Sequence, residues 1–265
     1  MREDWGCDFY MITIPYINKY LMIVTDIHGN LDDFKYYLDL WLDDKSNHIC
    51  FTGDLIHADD INDDDSLKIL ELVKEYNREN TFHVLMGNHE HSQLYGDDVY
   101  RYHVNQTEQF KLLVEQEYPN DYTRKYQEYK KILSTFDYYI TTSNGLLISH
   151  TGIDELYLES ILTNSINIYD LSYKRPYEQK FLTEAVWARP YTDYGTDTID
   201  KILNHYGLKY WICGHTNYQG AHIYGDQLIF DSSHNTPKKY YLKIKLNKEY
   251  ENIIEIMKKL QEMKL

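Results

Sequence analysis

The sequence has few cysteines and no long apolar run. Its three cysteines, Cys7, Cys50 and Cys213, show no paired spacing, and the last two fall inside apolar, strand-like segments. We interpret them as buried thiols of a protein in a reducing compartment. No apolar stretch approaches the ~20 residues of a membrane helix, and the acidic N-terminus lacks a signal-peptide pattern. These absences predict a cytoplasmic protein with no membrane segment.

Positive charge is also scarce. The chain has 27 Lys and Arg against 42 Asp and Glu, which gives a formal net charge of −15. A general surface for duplex DNA is therefore not expected, because phosphate binding needs clustered Lys and Arg. An excess of carboxylates suits a chain that holds divalent cations, although most acidic side chains are simply solvated. The oligomeric state is left open by the composition.

No linker rich in Pro, Gly or Ser and no internal repeat divides the chain, which has 5 Pro and 12 Gly in 265 residues. We therefore expect a single domain over residues 1–265. Residues 91–137 and 153–208 have few strand signals and a polar, mainly helical pattern. These two segments are predicted to be helical insertions near a cleft.

Short apolar segments alternate with amphipathic ones in the first third of the chain. Strands are predicted at Tyr20–Thr25, His48–Thr52 and Thr81–Met86, with helices at Leu31–Leu42 and Ser66–Glu79 between them. Asn30 fits the N-cap of the first helix. This alternation predicts an α/β class with layered sheet and helices.

The rest of the chain predicts more strands and two helices. The strand segments are 138–142 and 146–149, which form a hairpin around Asn144-Gly145, then 209–213, 221–224, 227–230 and 239–246. The predicted helices are Thr196–Tyr206 and the amphipathic Lys248–Met263.

Five of these strands end at side chains that can bind a metal ion. Taken alone, each feature is typical of a capped turn or of a hydrogen-bonded core histidine. Together they predict a metal site, because ligands gather beyond the carboxyl ends of strands in an open α/β sheet. The residues are Asp26 and His28, Asp54, Asn88 and His89, His150, and His215.

The local motifs around these residues resemble, in the same order, those of calcineurin-like metallophosphoesterases. The motifs are Asp26-Ile27-His28-Gly29-Asn30, Gly53-Asp54, Gly87-Asn88-His89-Glu90, Ser149-His150-Thr151-Gly152 and Gly214-His215-Thr216. The similarity spans about residues 21–235 and is greatest to the phosphoprotein-phosphatase branch, which includes bacterial and phage Ser/Thr phosphatases and diadenosine tetraphosphatases. It implies mixed β-sheets in a β-sandwich flanked by helices.

The resemblance also implies a dinuclear metal site. Asp26 and His28 would bind the first metal, Asn88, His150 and His215 the second, and Asp54 would bridge both. Two such cations can clamp a phosphate and activate a water molecule. Mixed imidazole, carboxylate and amide ligands suit Mn, with Fe or Zn also possible.

In the same family the residue at the position of His89 is a general acid. His89 would protonate the departing oxygen, a task suited to a group that titrates near neutrality. The implied reaction is hydrolysis of a phosphomonoester by direct attack of a metal-bridging hydroxide, without a phosphoenzyme.

The sequence departs from the family pattern at three positions. His57 stands where an aspartate usually orients the catalytic histidine, while Ala58 and Met86 stand where arginines usually contact phosphate. Trp187-Ala188-Arg189-Pro190 resembles a tryptophan-x-arginine element of bacterial members, so Arg189 is predicted to bind phosphate. Asn217 replaces a second histidine that many phosphodiesterase relatives carry, which favours the phosphatase branch.

Three functions remain open from the sequence. The first is a Ser/Thr protein phosphatase-like enzyme acting on a phosphorylated protein or a small phosphoester. The second is a nucleotide or dinucleoside-polyphosphate hydrolase, since tyrosines can stack on nucleobases, although the tyrosines of the first insertion are better explained by helix packing. The third is a non-catalytic binding module with the same fold.

Overall fold

Residues 8–264 are described by a computed structural model of the chain, so Cys7 lies outside the described residues. The strands are β1 Asp8–Tyr10, β2 Ile12–Ile14, β3 Tyr20–Val24, β4 His48–Phe51, β5 Phe82–Val84, β6 Tyr100–Arg101, β7 Val104–Asn105, β8 Tyr139–Thr142, β9 Leu146–Ser149, β10 Asp170–Ser172, β11 Tyr210–Cys213, β12 Ala221–Tyr224, β13 Gln227–Phe230, β14 Tyr240–Lys245 and β15 Leu260–Glu262. The helices are α1 Leu31–Leu42, α2 Ser66–Tyr76, α3 Asn88–Tyr95, α4 Gln106–Glu117, α5 Tyr122–Leu133, α6 Leu158–Leu162, α7 Pro176–Glu184, α8 Thr196–Tyr206 and α9 Ile253–Met257.

Two mixed sheets form the centre of the molecule. One has five strands in the order β15-β14-β3-β4-β5, in which β3, β4 and β5 run parallel. The other has six strands in the order β12-β13-β11-β9-β8-β2, in which β9, β11 and β13 run parallel. Two small antiparallel pairs, β1-β10 and β6-β7, lie apart from these sheets.

Side chains alternate between two buried layers along each central strand. On β3, Leu21 and Ile23 pack in the same cluster as Ile148 and Ile212 of the other sheet, so the two sheets face each other. Met22 and its alternate neighbours instead belong to the cluster formed with the helices. Each strand is thus buried on both faces, which explains why these segments are almost wholly apolar. The predicted sandwich flanked by helices is confirmed.

The helix and strand bounds show where local sequence dominates. Helix α1 has its predicted bounds, and the Asn30 side chain accepts a hydrogen bond from the Asp33 N–H as its N-cap. Helix α8 also has its predicted bounds and ends at Gly207, in the left-handed conformation.

The prediction of a C-terminal helix over Lys248–Met263 was wrong. Only Ile253–Met257 is helical, and Leu260–Glu262 instead pairs antiparallel with β14. Pairing with β15 satisfies the backbone N–H and C=O groups on the free edge of β14. This gain outweighs the helical apolar pattern, which forms a helix only over α9.

The two predicted insertions contain helices and also strands. Residues 91–137 include α4, α5 and the β6-β7 hairpin, and residues 153–208 include α6, α7, α8 and β10. Their assignment as insertions into a single domain stays a prediction. Among the described residues, no helix is both long and apolar enough to cross a bilayer.

Candidate metal centre

The predicted ligands meet where strands of both sheets end. Asp26 and His28 follow β3, Asp54 follows β4, and Asn88 is the first residue of α3 after β5. From the other sheet, His150 directly follows β9, and His215 lies two residues beyond β11. Parallel strands place their carboxyl ends at one edge, which brings these distant residues together.

Asp54 lies at the middle of the cluster. Its Oδ2 atom is 3.6 Å from Nε2 of His28 and 3.5 Å from Nε2 of His150, and its side chain is only 3% exposed. The His89 Nε2 atom lies 3.9 Å from the same oxygen. A carboxylate in this position can serve two ions, one on each side.

On the His150 side, ligand atoms of Asn88 and His215 both lie close to Nε2 of His150. Nδ1 of His150 lies 3.0 Å from the carbonyl oxygen of Thr52, to which it can donate, so Nε2 presents a lone pair. That Nε2 is 3.0 Å from Oδ1 of Asn88 and 3.0 Å from Nδ1 of His215. Ligands about 2.1 Å from one metal ion are roughly 3 Å apart, so these atoms fit a cation.

On the other side, His28 is oriented by Nδ1, which lies 3.3 Å from the carbonyl oxygen of His57. Its Nε2 is therefore free to bind a metal beside Asp54. Two compact groups can hold an ion, namely His28 with Asp54 and His89, and Asp54 with His150 and His215. Asp26 belongs to neither group, and the His215 N–H donates to both of its carboxylate oxygens at 3.0 Å.

Burial sets the charge state of these groups. It raises the pKa of Asp26 to about 7 and that of Asp54 to about 7, because a carboxylate loses its hydration there. It also lowers the pKa of His28, His150 and His215 below their ordinary value. The imidazoles are therefore neutral, and a nearby positive charge would stabilise the ionised carboxylates. A divalent cation binds to such a set of ligands.

His89 is held by a chain of side chains behind it. Its Nδ1 lies 2.9 Å from Nδ1 of His57, and Nε2 of His57 lies 3.1 Å from Oε1 of Gln93. Gln93 in turn donates to the hydroxyl of Tyr126 at 2.8 Å. Burial lowers the pKa of His57 to about 3, so this ring is neutral. A neutral His57 that donates to Gln93 accepts a hydrogen bond from the Nδ1–H of His89, and this directs Nε2 of His89 toward Asp54.

The sequence predicted that His57 is a partner of His89, but it did not predict the contacts of Gln93 and Tyr126 behind it. Neither residue belongs to a motif, and Tyr126 lies on α5, 37 positions after His89 by sequence number. The helical periodicity from His89 to Gln93 was the one local signal that places both on the same face of α3.

Glu90 has a role that the sequence did not reveal. Its buried carboxylate accepts hydrogen bonds from the backbone N–H groups of Asp54 (2.8 Å), Leu55 (2.7 Å), Ile56 (3.1 Å) and Gly87 (3.1 Å). This carboxylate joins the loop after β4 to the start of α3. It thereby fixes Asp54 relative to Asn88.

Two glycines allow the loops to approach the ligands. A Cβ atom on Gly87 would lie 2.3 Å from the backbone nitrogen of Asp54, and one on Gly214 would lie 2.0 Å from Oδ2 of Asp26. Both distances are far below van der Waals contact, so only glycine fits at these positions.

Two arginines lie beside the centre, and only one was predicted. Arg189 is exposed in the loop after α7. Its charge offsets part of the rise that burial causes in the pKa of Asp54, and adds to the fall that burial causes in the pKa of His150 and His215. The unpredicted one is Arg101 at the end of β6.

Arg101 acts on the other half of the centre. Its charge offsets part of the rise that burial causes in the pKa of Asp54, and adds to the fall that burial causes in the pKa of His28 and His89. No motif marks Arg101 in the sequence. Ala58 and Met86 are both buried, as apolar side chains at those positions would be.

A model of the family described as calcineurin-like phosphoesterase matches residues 20–219 of the chain. No curated protein matches the sequence significantly.

Solved structures with a similar fold include one from a yeast and one from a bacterium. A protein serine/threonine phosphatase from Saccharomyces cerevisiae is 15% identical with a TM-score of 0.64, covering 96% of this chain and 82% of that one. A cold-active protein-tyrosine phosphatase of a psychrophilic Shewanella species is 18% identical with a TM-score of 0.62, covering 90% of this chain and 79% of that one. At these identities the likeness shows a common fold.

Proposed function

The chain belongs to the calcineurin-like phosphoesterase family and is a phosphoester hydrolase, and from this premise we propose a specific reaction. The enzyme hydrolyses phosphomonoesters with two divalent metal ions, in the manner of a Ser/Thr protein phosphatase. One observation carries the proposal. Asp54 has ligand groups on both sides at 3.5–3.6 Å, with the imidazoles of His28 and His150 turned toward the same oxygen.

The first ion would be held by Asp26, His28 and Asp54. The second would be held by Asp54, Asn88, His150 and His215. When bound, such a pair of cations neutralises a phosphoryl group, lowers the pKa of a water molecule and stabilises charge during in-line attack. We propose Mn as the native metal, with Fe and Zn as the ions that the same donor set accepts.

The chain's own side chains complete the proposed site. His89, turned toward the centre by His57, would pass a proton from Nε2 to the departing oxygen. Because Nδ1 of His89 donates to His57, Nε2 carries that proton only in the imidazolium form, which burial disfavours by lowering the pKa of His89. Arg189, whose charge acts on His150 and His215, would bind a phosphoryl oxygen. The role of His89 is supported by its Nε2 atom, which lies 3.9 Å from Oδ2 of Asp54. The role of Arg189 is supported by the effect of its charge on His150 and His215.

The proposed substrate is a phosphorylated serine or threonine side chain, or a small phosphoester. The yeast neighbour is a serine/threonine phosphatase and the Shewanella neighbour a tyrosine phosphatase, so the shared fold serves both kinds of substrate. We propose a cytoplasmic location, which is supported by the buried free thiols of Cys50 and Cys213.

Hydrolysis of p-nitrophenyl phosphate tests the reaction. We expect turnover with added Mn, loss of turnover and of bound metal with EDTA, and recovery when Mn is restored. Asp54→Asn should abolish turnover and lower the metal content, while Asp39→Asn, an exposed carboxylate on α1, should change neither. A wild-type chain that binds two metal ions without any turnover would identify a binding module instead.

A substrate panel then separates the remaining functions. It should contain phosphoserine, phosphothreonine and phosphotyrosine peptides, diadenosine tetraphosphate and cyclic nucleotides. The highest kcat/KM is expected for phosphoserine or phosphothreonine peptides. A clear preference for diadenosine tetraphosphate would instead make the protein a dinucleoside-polyphosphate hydrolase.

A further inference from the structure

The β6-β7 hairpin brings a cationic side chain to the centre from the first insertion. Arg101 ends β6, and the turn after it places Tyr102 and His103 at positive φ angles of 47° and 69°. Tyr102 is 74% exposed, whereas the Arg101 side chain is only 26% exposed. The hairpin therefore turns its arginine inward, although guanidinium groups are among the most solvated in proteins.

Two of the three guanidinium nitrogens of Arg101 pair with other side chains, and within the described part of the chain the third does not. Its Nε lies 2.9 Å from Oδ1 of Asp59, and its Nη2 donates to Nε2 of His234. The third nitrogen, Nη1, is buried and has no hydrogen-bond partner among the described residues. An unpaired buried N–H costs about 1–3 kcal/mol. Pairing with Asp59 alone does not explain why Nη1 is buried at this cost.

His234, which accepts from this guanidinium, packs against His28 of the proposed first metal site. The ring of His234 lies 4.3 Å from the ring of His28, centroid to centroid. His234 is itself fixed, since its carbonyl oxygen accepts a hydrogen bond from Asn217 at 3.0 Å. Asp59 also accepts one from Asn235 at 2.9 Å. The guanidinium is thus preorganised one contact away from a ligand of the first metal.

The hairpin is anchored at one of the positions where the family arginine is missing. Gln106, the first residue of α4 after β7, donates from Nε2 to the carbonyl oxygen of Ala58 at 3.0 Å. Gln109 donates to the same oxygen at 3.3 Å. The insertion therefore binds the backbone of Ala58 directly, and it supplies a guanidinium that contacts the next residue, Asp59.

The charges of two arginines act on Asp54. The positive charge of Arg101 lowers the pKa of His28 and His89, and that of Arg189 lowers the pKa of His150 and His215. Burial raises the pKa of Asp54, and both arginines offset part of that rise. One cationic group is therefore near each half of the centre.

We infer that Arg101 is a substrate-binding residue whose Nη1 donates to a phosphoryl oxygen of the substrate at the His28 side of the centre. It takes the place of the arginines absent at positions 58 and 86. This inference rests on the proposed phosphoesterase reaction for its substrate, and on the geometry of the hairpin for its location.

Replacement of Arg101 tests the inference. Arg101→Ala should lower kcat/KM for p-nitrophenyl phosphate about 100-fold, the effect of removing one donor from a charged transition state. Arg101→Lys, which keeps the charge but loses the planar fork, should lower it about tenfold. The affinity for inorganic phosphate, measured by calorimetry with Mn present, should fall in the same order.

Arg124→Ala is the matched control. Arg124 lies on α5 of the same insertion, is 65% exposed and pairs with Asp121, so its loss should leave kcat/KM, phosphate affinity and metal content unchanged. Metal content and melting temperature of the Arg101 variants should also equal those of the wild type.

Two results would overturn the inference. One is unchanged kcat/KM and phosphate affinity in Arg101→Ala. The other is a loss of activity in both Arg101→Ala and Arg101→Lys that follows a loss of metal or a lower melting temperature, which would make Arg101 structural. If Arg101→Ala does not fold, Arg101→Lys decides. A wild type that binds phosphate through Arg101 but hydrolyses no ester would refute the proposed function and leave this inference standing.

Discussion

Asp26, His28, Asp54 and His215 hold φ angles of 47°, 48°, 53° and 66°. Residues other than glycine rarely adopt this left-handed conformation, which costs about 1–3 kcal/mol each. Hydrogen bonds between the ligand loops maintain it, since the His28 N–H donates to the carbonyl oxygen of Asp54 at 2.8 Å and the His215 N–H donates to Asp26. Each ligand loop therefore depends on its neighbour for its own conformation.

His89→Asn tests the proposed acid at the same scale. Asparagine keeps a polar group of similar length but cannot deliver a proton, so kcat should fall about 100- to 1,000-fold. Because His89 is not among the proposed ligands, two equivalents of metal should remain bound, as measured by elemental analysis. His205→Asn, on α8, serves as the control. An unchanged kcat in His89→Asn would remove this residue from the mechanism.

At the scale of elements, the junction between β4, its loop and α3 depends on one buried carboxylate. Oε2 of Glu90 accepts from Asp54 and Gly87, and Oε1 accepts from Leu55 and Ile56. Four backbone N–H groups thus find their acceptors in a single side chain. The loop that carries Asp54 has little other means of satisfying them.

Glu90→Gln should therefore loosen this junction. An amide NH₂ in place of one oxygen leaves two backbone N–H groups facing a donor, at about 1–3 kcal/mol each. The free energy of unfolding in urea should fall by about 3 kcal/mol, and metal affinity should fall with it because Asp54 moves. Glu75→Gln, on the exposed side of α2, should change neither. An equally stable Glu90→Gln variant with full metal content would contradict this account.

The sequence predicted elements well where local signals decide. Helix α1 begins at the Asn30 cap and follows a helical apolar pattern, so both ends were correct. The prediction of a long C-terminal helix was wrong because the residues after α9 pair with β14, and no local pattern in the sequence indicates this partner. Arg101 was missed for the same reason, since its contacts with Asp59 and His234 join positions far apart in the chain. The roles of the predicted ligands remain predictions until metal binding is measured.

At the scale of the whole molecule, buried histidines make stability depend on pH. Nδ1 of His48 lies 3.0 Å from Nε2 of His83, and these rings join β4 and β5 at the end away from the metal centre. Burial, together with the neighbouring His48, lowers the pKa of His83 to about 4 from the ordinary 6.5. His83 is therefore neutral in the folded protein at neutral pH.

The pH dependence of His83→Gln isolates this effect. The unfolded chain takes up a proton near pH 6.5 and the folded chain only near pH 4, so the stability from neutral His83 is complete above pH 6.5 and is lost as pH falls toward 4. The stability of wild type relative to His83→Gln should fall by about 3 kcal/mol over that range. Chemical denaturation at a series of pH values measures it, and a difference that stays constant would contradict the assignment.

The proposed ligands come from both sheets of the sandwich. Asp26, Asp54 and Asn88 follow strands of the five-stranded sheet, while His150 and His215 follow strands of the six-stranded one. The spacing between the two halves of the centre is therefore set by how closely the sheets pack, and this depends on interior side chains such as Leu21 and Ile148. The apolar interior therefore sets the distance between the proposed ligands. A change of side-chain volume there would alter that distance without replacing any of them.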